Sequence, residues 1–432
     1  MRMLSRRRVW LLAASASALL LLLKCLRLVS PSAVEKAVEE AAACALAERL
    51  THESSPLAGV RAATDEVVRI FWWHRFQGQR RSSAAREVHE CAGSSTPMRC
   101  VSDSRPLAFS TADAVVIWSG PDHRRGACLP PQLASHTWVL EYSEPPEVDA
   151  RTASELYDAA FTQRFQVKVS HELDSDVVLT ALHPLVEGGA IPPSLWLRSA
   201  GGMGPRVRGI AWLASPKASG GCATPNRRDE LVRRLERALP RSLPLYAIGR
   251  CLHNRDEPRL VAKQADGGGN ASTWGSKVRA LGRYAFCLVA ENSIAADYVT
   301  EKIFHAFAAG CLPVYYGTED VARFLPTPAA ALQVLDYPSL DALASHLAAL
   351  AGNATAYGAH VAWRDDATLV RAWWGRMQAM TDASETATKP ALFCAICRAV
   401  RRRRAEQPQH RLRASPRPRH AVWPPLFGWS SR

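Results

Sequence analysis

Short apolar runs separated by polar and amphipathic stretches dominate the chain from about residue 65 to residue 397. The first series reads VVRIFWW, ADAVVIW and HTWVLEY. The second, after Pro192 and Pro193, reads RGIAWLAS, LPLYAIG, YAFCLVA and LPVYYG. Runs of this length, rich in Val, Ile and aromatic residues, predict buried strands. With helical patterns at about 227–238, 300–309 and 340–351, they predict an α/β fold of two Rossmann-like domains, each with a parallel sheet, facing one cleft.

The two ends of the chain do not follow this pattern. Residues 1–30 place four arginines before an uncharged apolar run from Val9 to Leu23. This order predicts a cytoplasmic tail and a signal-anchor helix, with membrane contact through residues 9–29 and a lumenal body. A cleaved signal peptide is the alternative. Residues 31–64, which include VEKAVEEAAACALAERL, predict a helical stem.

The charge of the chain is concentrated at its ends. The formal net charge is +14, of which residues 1–8 supply four and residues 398–432, with ten arginines and one glutamate, supply nine. The body is therefore nearly neutral, which argues against a nucleic-acid groove. The segment 398–432 is basic and rich in proline, a composition that predicts disorder.

Two further features suit an oxidising, lumenal compartment. Asn270 and Asn353 begin Asn-Ala-Ser and Asn-Ala-Thr triplets, which are acceptor patterns for N-glycosylation. The chain has 11 cysteines, a number compatible with several disulfides whose pairing the sequence leaves open.

The densest polar cluster is ENSIAADYVTEKIF, which directly follows the strand YAFCLVA. In parallel sheets, ligands bind beyond the carboxyl ends of the strands. Lys302 falls in the first turn of the next helix, where a cation is unfavourable unless an anion lies beside it. A nucleotide diphosphate would supply that anion, and Thr300 is a suitable N-cap. The alternative is a capped surface helix with a local Glu–Lys pair.

The stretch FCLVAENSIAADYVTEKIFHAFAAGCLPVYYG resembles the signature of the α-1,3/1,4-fucosyltransferase family, glycosyltransferase family ten. The similarity extends across much of residues 66–397, including VRIFWWHRF, TPNRRDELVRRL and LFCAICRAV. The resemblance implies a GT-B architecture, with an acceptor-side domain at 65–203 and a GDP-fucose domain at 204–397. It also implies a Golgi membrane protein, and structural disulfide bonding at Cys394 and Cys397.

The resemblance also implies which residues form the site. Asn292, Tyr298, Glu301 and Lys302 occupy donor-binding positions of the motif. Arg228 falls on the diphosphate-binding arginine, and its neighbour Arg227 is a possible substitute.

The stretch HTWVLEYSEPPEV resembles a segment of the same family that contains a glutamate. The resemblance implies that Glu144, which aligns with that glutamate, acts as the general base in an inverting displacement. Glu141, three residues earlier, is the alternative base.

Several alternatives stay open at this stage. Asp174 and Asp176 form an Asp-x-Asp pattern of the kind that holds Mn²⁺ in other glycosyltransferases. The expectation is nonetheless that no metal is required, with Mn²⁺ or Mg²⁺ at most stimulating. The resemblance implies transfer of L-fucose from GDP-fucose to a hydroxyl of a glycan or glycoprotein, in α-1,3 or α-1,4 linkage. A peptide Ser or Thr is the alternative acceptor. One further alternative is an enzyme of the same fold that uses a different GDP-sugar. Another is a protein of the same fold that lacks catalytic activity and binds glycans or proteins.

Overall fold

The structure is a computed structural model of the chain. It describes residues 44, 47–50, 67–73, 86–91, 98–119, 129–148, 150–180, 193–197, 206–216, 221–257, 273–380, 383–384, 389–406 and 409–414.

The described residues form strands and helices that alternate along much of the chain. The strands are β1 Val67–Trp72, β2 Arg86–Cys91, β3 Met98–Asp103, β4 Ala114–Trp118, β5 Thr137–Tyr142, β6 Val167–Ser170, β7 Val177–Thr180, β8 Val207–Trp212, β9 Leu245–Ala247, β10 Tyr284–Ala290, β11 Leu312–Tyr316, β12 Leu332–Gln333 and β13 Ala383–Ser384. The helices are α1 Ala150–Leu156, α2 Ala159–Thr162, α3 Arg228–Ala238, α4 Thr273–Leu281, α5 Glu301–Ala309, α6 Leu340–Gly352, α7 Ala354–Val361, α8 Ala367–Ala379 and α9 Lys389–Glu406.

The chain divides into two compact units. Unit 1 comprises residues 1–142, 158–169 and 393–414, and unit 2 comprises residues 143–157, 170–392 and 415–432. Both units contain parallel sheets with intervening helices, so the predicted α/β class is confirmed. The predicted domain boundary at residues 203 and 204 stays a prediction.

The sheet of unit 1 has the strand order β2-β3-β1-β4-β5-β6. Strand β1 pairs in parallel with β3 and β4, and β4 pairs in parallel with β5. Strands β2, β3 and β6 of this sheet were not predicted. Strand β2 runs antiparallel to β3 and alternates exposed and half-buried residues. The sequences REVHEC, MRCVSD and VKVS lack the mostly apolar run by which β1, β4 and β5 were predicted.

The sheet of unit 2 is fully parallel, in the order β12-β11-β10-β8-β9. After β8 the chain adds β9 on one side, and then adds β10, β11 and β12 on the other. The direction of winding thus reverses between β8 and β10. Ligands in open α/β sheets bind at such a switch point, outside the carboxyl ends of the two strands.

Both faces of this second sheet are buried. On β10, Cys287 and Val289 pack into one apolar cluster, whereas Phe286, Leu288 and Ala290 pack into another. Burial on both faces explains why YAFCLVA is apolar without alternation.

The segment after residue 398 is not uniformly disordered, contrary to the prediction from its composition. Helix α9 continues to Glu406 and buries Phe393, Ile396, Cys397 and Val400, which share one helical face. Arg404 Nη1 donates to Asp113 Oδ1 at 2.8 Å. These contacts stabilise a helix that the arginine run alone would not.

Two disulfides fasten α9 within unit 1. Cys394 is bonded to Cys91, and Cys397 is bonded to Cys100. Structural disulfide bonding of the two closing cysteines is therefore confirmed, and each pairs with a distant strand.

No helix among the described residues is long and apolar enough to cross a bilayer. The predicted anchor at residues 9–29 and most of the stem at 31–64 lie outside the described part of the chain.

His136 of unit 1 should make the stability of the protein sensitive to acid. Burial lowers its pKa to about 4 from 6.5, with Arg404 acting in the same direction and the carbonyl of Phe109 and Asp113 opposing. Between pH 6.5 and 4, His136 becomes protonated in the unfolded chain but stays neutral in the folded protein. The free energy of unfolding therefore falls as pH falls through that window. The loss should approach ~3 kcal/mol.

The check is the melting temperature of wild type and His136→Gln between pH 7.5 and 4.5. Below pH 6.5, the melting temperature of wild type should fall more steeply with decreasing pH than that of His136→Gln. Parallel curves for the two proteins would contradict the assignment.

Candidate active site

The site lies at the carboxyl ends of β8 and β10, where the winding of the unit 2 sheet reverses. The loop before α3 is tied to the end of β10 by two contacts. Asn226 Nδ2 donates to the carbonyl of Glu291 at 2.8 Å, and Arg228 Nη1 donates to the carbonyl of Ala290 at 3.3 Å. Tyr316 OH, from β11, donates to the carbonyl of Asn226 at 3.0 Å. These contacts bring together segments that are more than 60 residues apart in sequence.

Arg228 begins α3 and is almost completely buried, with 8% of its surface exposed. Arg227 precedes it in the left-handed region, at φ 51°. Burial lowers the pKa of Arg228, whereas the nearby Glu291 and Glu301 raise it. Its Nε is buried and has no hydrogen-bond partner among the described residues. A buried cation with an unsatisfied donor is costly unless an anion completes its contacts.

Glu291 is the centre of the polar cluster, and its carboxylate is fully buried. Oε1 accepts from the backbone N–H of Thr300 at 2.8 Å. Oε2 accepts from Thr300 Oγ1 at 2.6 Å and from Lys302 Nζ at 2.8 Å. The protein thus places a carboxylate of its own at the start of α5, where a helix favours negative charge.

This arrangement corrects two expectations about the start of α5. Lys302 has an anion beside it without any ligand, because Glu291 contacts it directly and Glu301 lies 3.8 Å away. The local Glu–Lys pair, considered above as an alternative, is therefore present. Thr300 occupies the N-cap position but makes no side-chain cap, since its hydroxyl is committed to Glu291.

Glu301 is the first residue of α5 and is ionised over the physiological range. Burial alone would raise its pKa, but Lys302, His305 and Lys277 lower it to about 2. An ionised carboxylate at this position can accept hydrogen bonds from ligand hydroxyls.

Glu144 joins the same cluster within unit 2, immediately after β5 ends. Its Oε2 accepts from Tyr298 OH at 2.9 Å and from Asn292 Nδ2 at 3.1 Å. The alternative base, Glu141, lies in β5 itself and is fully buried in unit 1. Glu144 is half-buried.

The loop that carries Asn292 and Tyr298 contains further buried polar atoms. Asn292 Oδ1 and Ser293 Oγ are both buried and lack a hydrogen-bond partner among the described residues. Together with Arg228 Nε, they form a set of donors and acceptors that suits a polar, anionic ligand.

Within the described residues, no group of three or more His, Cys, Asp and Glu side chains could hold a metal ion. The Asp-x-Asp pattern falls in a turn between β6 and β7, with Asp174 exposed and Asp176 half-buried. The expectation that no metal is required stays a prediction.

A disulfide between Cys222 and Cys251 closes the loop that delivers Arg228. The bonded cysteines are 29 residues apart. Closing a loop of this length stabilises a fold by roughly 3.5 kcal/mol in the chain-entropy account.

The double variant Cys222→Ala/Cys251→Ala should therefore melt at lower temperature than wild type and hold Arg228 less rigidly. Differential scanning calorimetry checks the first effect, and amide exchange at residues 224–231 checks the second. Unchanged exchange there would contradict a role in ordering the Arg228 loop.

Of the two predicted glycosylation sites, Asn270 lies outside the described residues. Asn353 is exposed and caps α7, with its Oδ1 accepting from the N–H of Ala356 at 3.0 Å. Glycosylation at either position stays a prediction.

The structure thus gathers all six predicted site residues into unit 2: Glu144, Arg228, Asn292, Tyr298, Glu301 and Lys302. Sequence reasoning assigned no role to Glu291, Asn226 or Lys277. The one available signal for Glu291 was its position as the first acidic residue after an apolar strand.

Comparison with known proteins identifies the domain that carries this site. Residues 205–414 match the family model described as glycosyltransferase family 10 (fucosyltransferase), C-terminal domain.

Several related proteins carry the name GDP-fucose protein O-fucosyltransferase 3. The protein from Canis lupus familiaris is 23% identical over 346 residues, which cover 78% of this chain and 66% of that protein. The protein from Homo sapiens is 25% identical over 296 residues, covering 66% of this chain and 57% of that protein. The chain spans between about half and two thirds of the length of these relatives.

A solved structure of an α1,3-fucosyltransferase covers 77% of this chain and 97% of its own, with 13% identity and a TM-score of 0.42. A structure of an α1,3-fucosyltransferase with GDP-fucose covers 75% of this chain and 96% of its own, with 14% identity and a TM-score of 0.36. The family match, which includes Arg228 and the whole segment from Glu291 to Lys302, is the stronger finding. Residues 205–414, which carry five of the six predicted site residues, are therefore similar to the fucosyltransferases of glycosyltransferase family 10.

Proposed function

We propose that this protein transfers L-fucose from GDP-fucose to a hydroxyl group, with inversion at the anomeric carbon. The observation that supports it most directly is the set of unsatisfied buried polar atoms at the switch point: Arg228 Nε, Asn292 Oδ1 and Ser293 Oγ. A nucleotide diphosphate is an anion rich in acceptors, and it would complete the contacts of Arg228.

In this proposal Arg228 and Lys302 stabilise the negative charge that develops on the GDP leaving group. Glu301, ionised at physiological pH, accepts from hydroxyls of the fucose ring. Lys302 keeps its contact with Glu291, which fixes Nζ beside the start of α5. A preorganised cation of this kind needs no reorganisation when the reaction begins.

Glu144 is the proposed general base. It removes the proton from the acceptor hydroxyl as the oxygen attacks the anomeric carbon, and the bond to the diphosphate breaks on the opposite face. Its contacts with Asn292 and Tyr298 support the assignment, because they place the carboxylate against the donor-binding segment.

The proposed acceptor is a Ser or Thr hydroxyl of a protein. The support is the name shared by the relatives, protein O-fucosyltransferase. A glycan hydroxyl, in α-1,3 or α-1,4 linkage, is the second candidate because of the resemblance of the signature segment.

Several finer expectations belong to the same proposal. They are the GT-B arrangement, with domains at 65–203 and 204–397, anchoring in the Golgi membrane through residues 9–29, and transfer without a required metal. The resemblance of the motifs and the order of charges at the N-terminus support them.

The test uses the full chain made through a secretory pathway, with radiolabelled GDP-fucose and EDTA. The acceptors are a panel of folded domains with exposed Ser and Thr, chitobiose-core glycans and lactosamine. Transfer to a protein hydroxyl is the expected result. GDP at about 100 times its Kd should stabilise the fold by ~2.7 kcal/mol. No transfer together with no stabilisation by GDP would refute the donor assignment.

Arg228→Gln and Arg227→Gln form a matched pair in the same assay. Arg228→Gln should weaken GDP binding ~10-fold or more, as expected for loss of a charged hydrogen bond. Arg227→Gln should change it less than threefold. The reverse order would assign the diphosphate to Arg227.

A further inference from the structure

Glu144 is held by one of its two oxygens. Both hydrogen bonds that it accepts from described residues, from Tyr298 OH at 2.9 Å and from Asn292 Nδ2 at 3.1 Å, reach Oε2. The donors lie 154 and 148 residues farther along the chain, on the loop between β10 and α5. The hydroxyl of Tyr298, which was predicted to bind the GDP-sugar donor, therefore already donates to a carboxylate.

Tyr298 itself is fixed in place. Only 4% of its surface is exposed, and the ring of His171 packs edge-on against it at 5.1 Å. Its neighbour Asp297 has φ 57°, in the left-handed region, and is anchored at both carboxylate oxygens. Oδ2 accepts from the N–H of Leu173 at 3.0 Å, and Oδ1 accepts from Arg323 Nη1 at 3.2 Å. A side chain held this way cannot swing toward a ligand without breaking several contacts.

The hydroxyl of Tyr298 also stays a donor at every working pH. Burial raises its pKa well above the usual value, and the carboxylates of Glu144, Glu291 and Glu301 raise it further. Hydrogen bonds to an ionised carboxylate are about twice as strong as those between neutral groups. Tyr298 is therefore a persistent donor to Glu144 Oε2.

We infer that Tyr298 and Asn292 are positioning residues that hold Glu144 through Oε2, so that Oε1 receives the proton of the acceptor. This inference rests on the proposed function and reassigns both residues from the donor sugar to the base. It also gives a reason for the Asp-Tyr pair of the signature. Asp297 anchors the loop through Leu173 and Arg323, and Tyr298 donates from that loop to Glu144.

Other charged groups around this contact have to be considered in any pH experiment. Glu147 lies three residues after Glu144. Burial raises the pKa of Glu147 and the charge of Glu172 raises it further, whereas a hydrogen bond from Tyr157 lowers it. On the side of Tyr298 lie Glu291, Glu301 and Arg228. These groups remain in Tyr298→Phe, so its comparison with wild type isolates the contact between Tyr298 and Glu144.

The experiment measures GDP-fucose hydrolysis by the full chain, with water in place of the acceptor, from pH 5 to 9. The variants are Tyr298→Phe, Glu144→Gln and their combination. Tyr315→Phe is the matched control, because it also removes a buried tyrosine hydroxyl of unit 2. That hydroxyl donates to the carbonyl of Tyr298 at 3.5 Å and not to Glu144. Wild-type hydrolysis with GDP-dependent thermal protection establishes the proposed function separately. An inactive, unprotected wild type overturns the proposed function and this inference together.

Tyr298→Phe should lower kcat ~10-fold, the loss expected for one hydrogen bond to a charged group. The KM for GDP-fucose should change less than twofold. In the Glu144→Gln background the same substitution should have less than a twofold effect.

A donor-binding role for Tyr298 predicts the opposite pattern, and that pattern would overturn the inference. KM for GDP-fucose and Kd for GDP would rise, and the effects of Tyr298→Phe and Glu144→Gln on kcat would multiply. Asn292→Asp, which removes the second donor at nearly constant volume, tests the same contact should Tyr298→Phe fail to fold.

Discussion

Glu144→Gln is expected to lower the rate of fucosyl transfer by ~10²–10⁴-fold, the usual contribution of general-base catalysis. Glutamine keeps an oxygen that can accept from Tyr298 and Asn292, so the loop after β10 should stay ordered. It cannot take up the acceptor proton at neutral pH. GDP should therefore still protect the variant against thermal unfolding, while transfer of radiolabelled fucose is lost.

The alternative base provides the control. Glu141→Gln changes the same chemical group three residues earlier, inside β5, where the carboxylate is fully buried. It should reduce stability and leave kcat per folded molecule close to that of wild type. Loss of transfer in a folded Glu141→Gln, with transfer retained in Glu144→Gln, would reverse the assignment of the base.

Glu291→Ala is expected to destabilise unit 2 by ~3 kcal/mol, because it removes one partner of a buried ion pair. The variant removes the acceptor of the Thr300 N–H and the carboxylate in direct contact with Lys302. Lys302 keeps Thr300 Oγ1 at 2.5 Å and Glu301 at 3.8 Å. Lys302 keeps 28% of its side chain exposed, which places the expected loss at the lower end for buried pairs. The melting temperature should fall by roughly 6–10 °C.

Glu230→Ala is the matched control for this prediction. Glu230 pairs with Arg234 at 2.7 Å on the surface of α3, with 26% of the glutamate and 31% of the arginine exposed. Exposed pairs on a helix contribute at most ~1 kcal/mol. Equal losses of melting temperature in the two variants would show that Glu291 acts as an ordinary surface partner.

Much of the fold could be read from residue pattern. The runs VVRIFWW, HTWVLEY and YAFCLVA became β1, β5 and β10. Strand β10 is continuously apolar because both of its faces are buried, whereas β1 carries the partly exposed Arg69 between buried residues. Helix α9 could not be read this way. Its arginine run suggested disorder, and its order depends on disulfides to Cys91 and Cys100 and on the pair between Arg404 and Asp113.

The candidate site was likewise predictable from the sequence only in part. The motif pointed to Lys302 and Glu301, but the requirement for an external anion beside Lys302 was wrong. Glu291 lies 11 positions earlier in the sequence, and no helical spacing connects it to Lys302. Likewise Thr300 has the right residue type for a cap, but its hydroxyl is used by Glu291 instead.

Residue pattern was sufficient to predict the α/β class, the positions of seven strands and three helices, and the residue types of the site. These properties follow from local periodicity and from short motifs, which a linear chain displays directly. Which of these residues come into contact depends on the tertiary structure. The strand order that reverses between β8 and β10 brings Arg228 to Ala290 and Glu291, and the chain path after β5 brings Glu144 to Tyr298. Contacts over such distances in sequence depend on how the whole chain packs, and no local pattern encodes them.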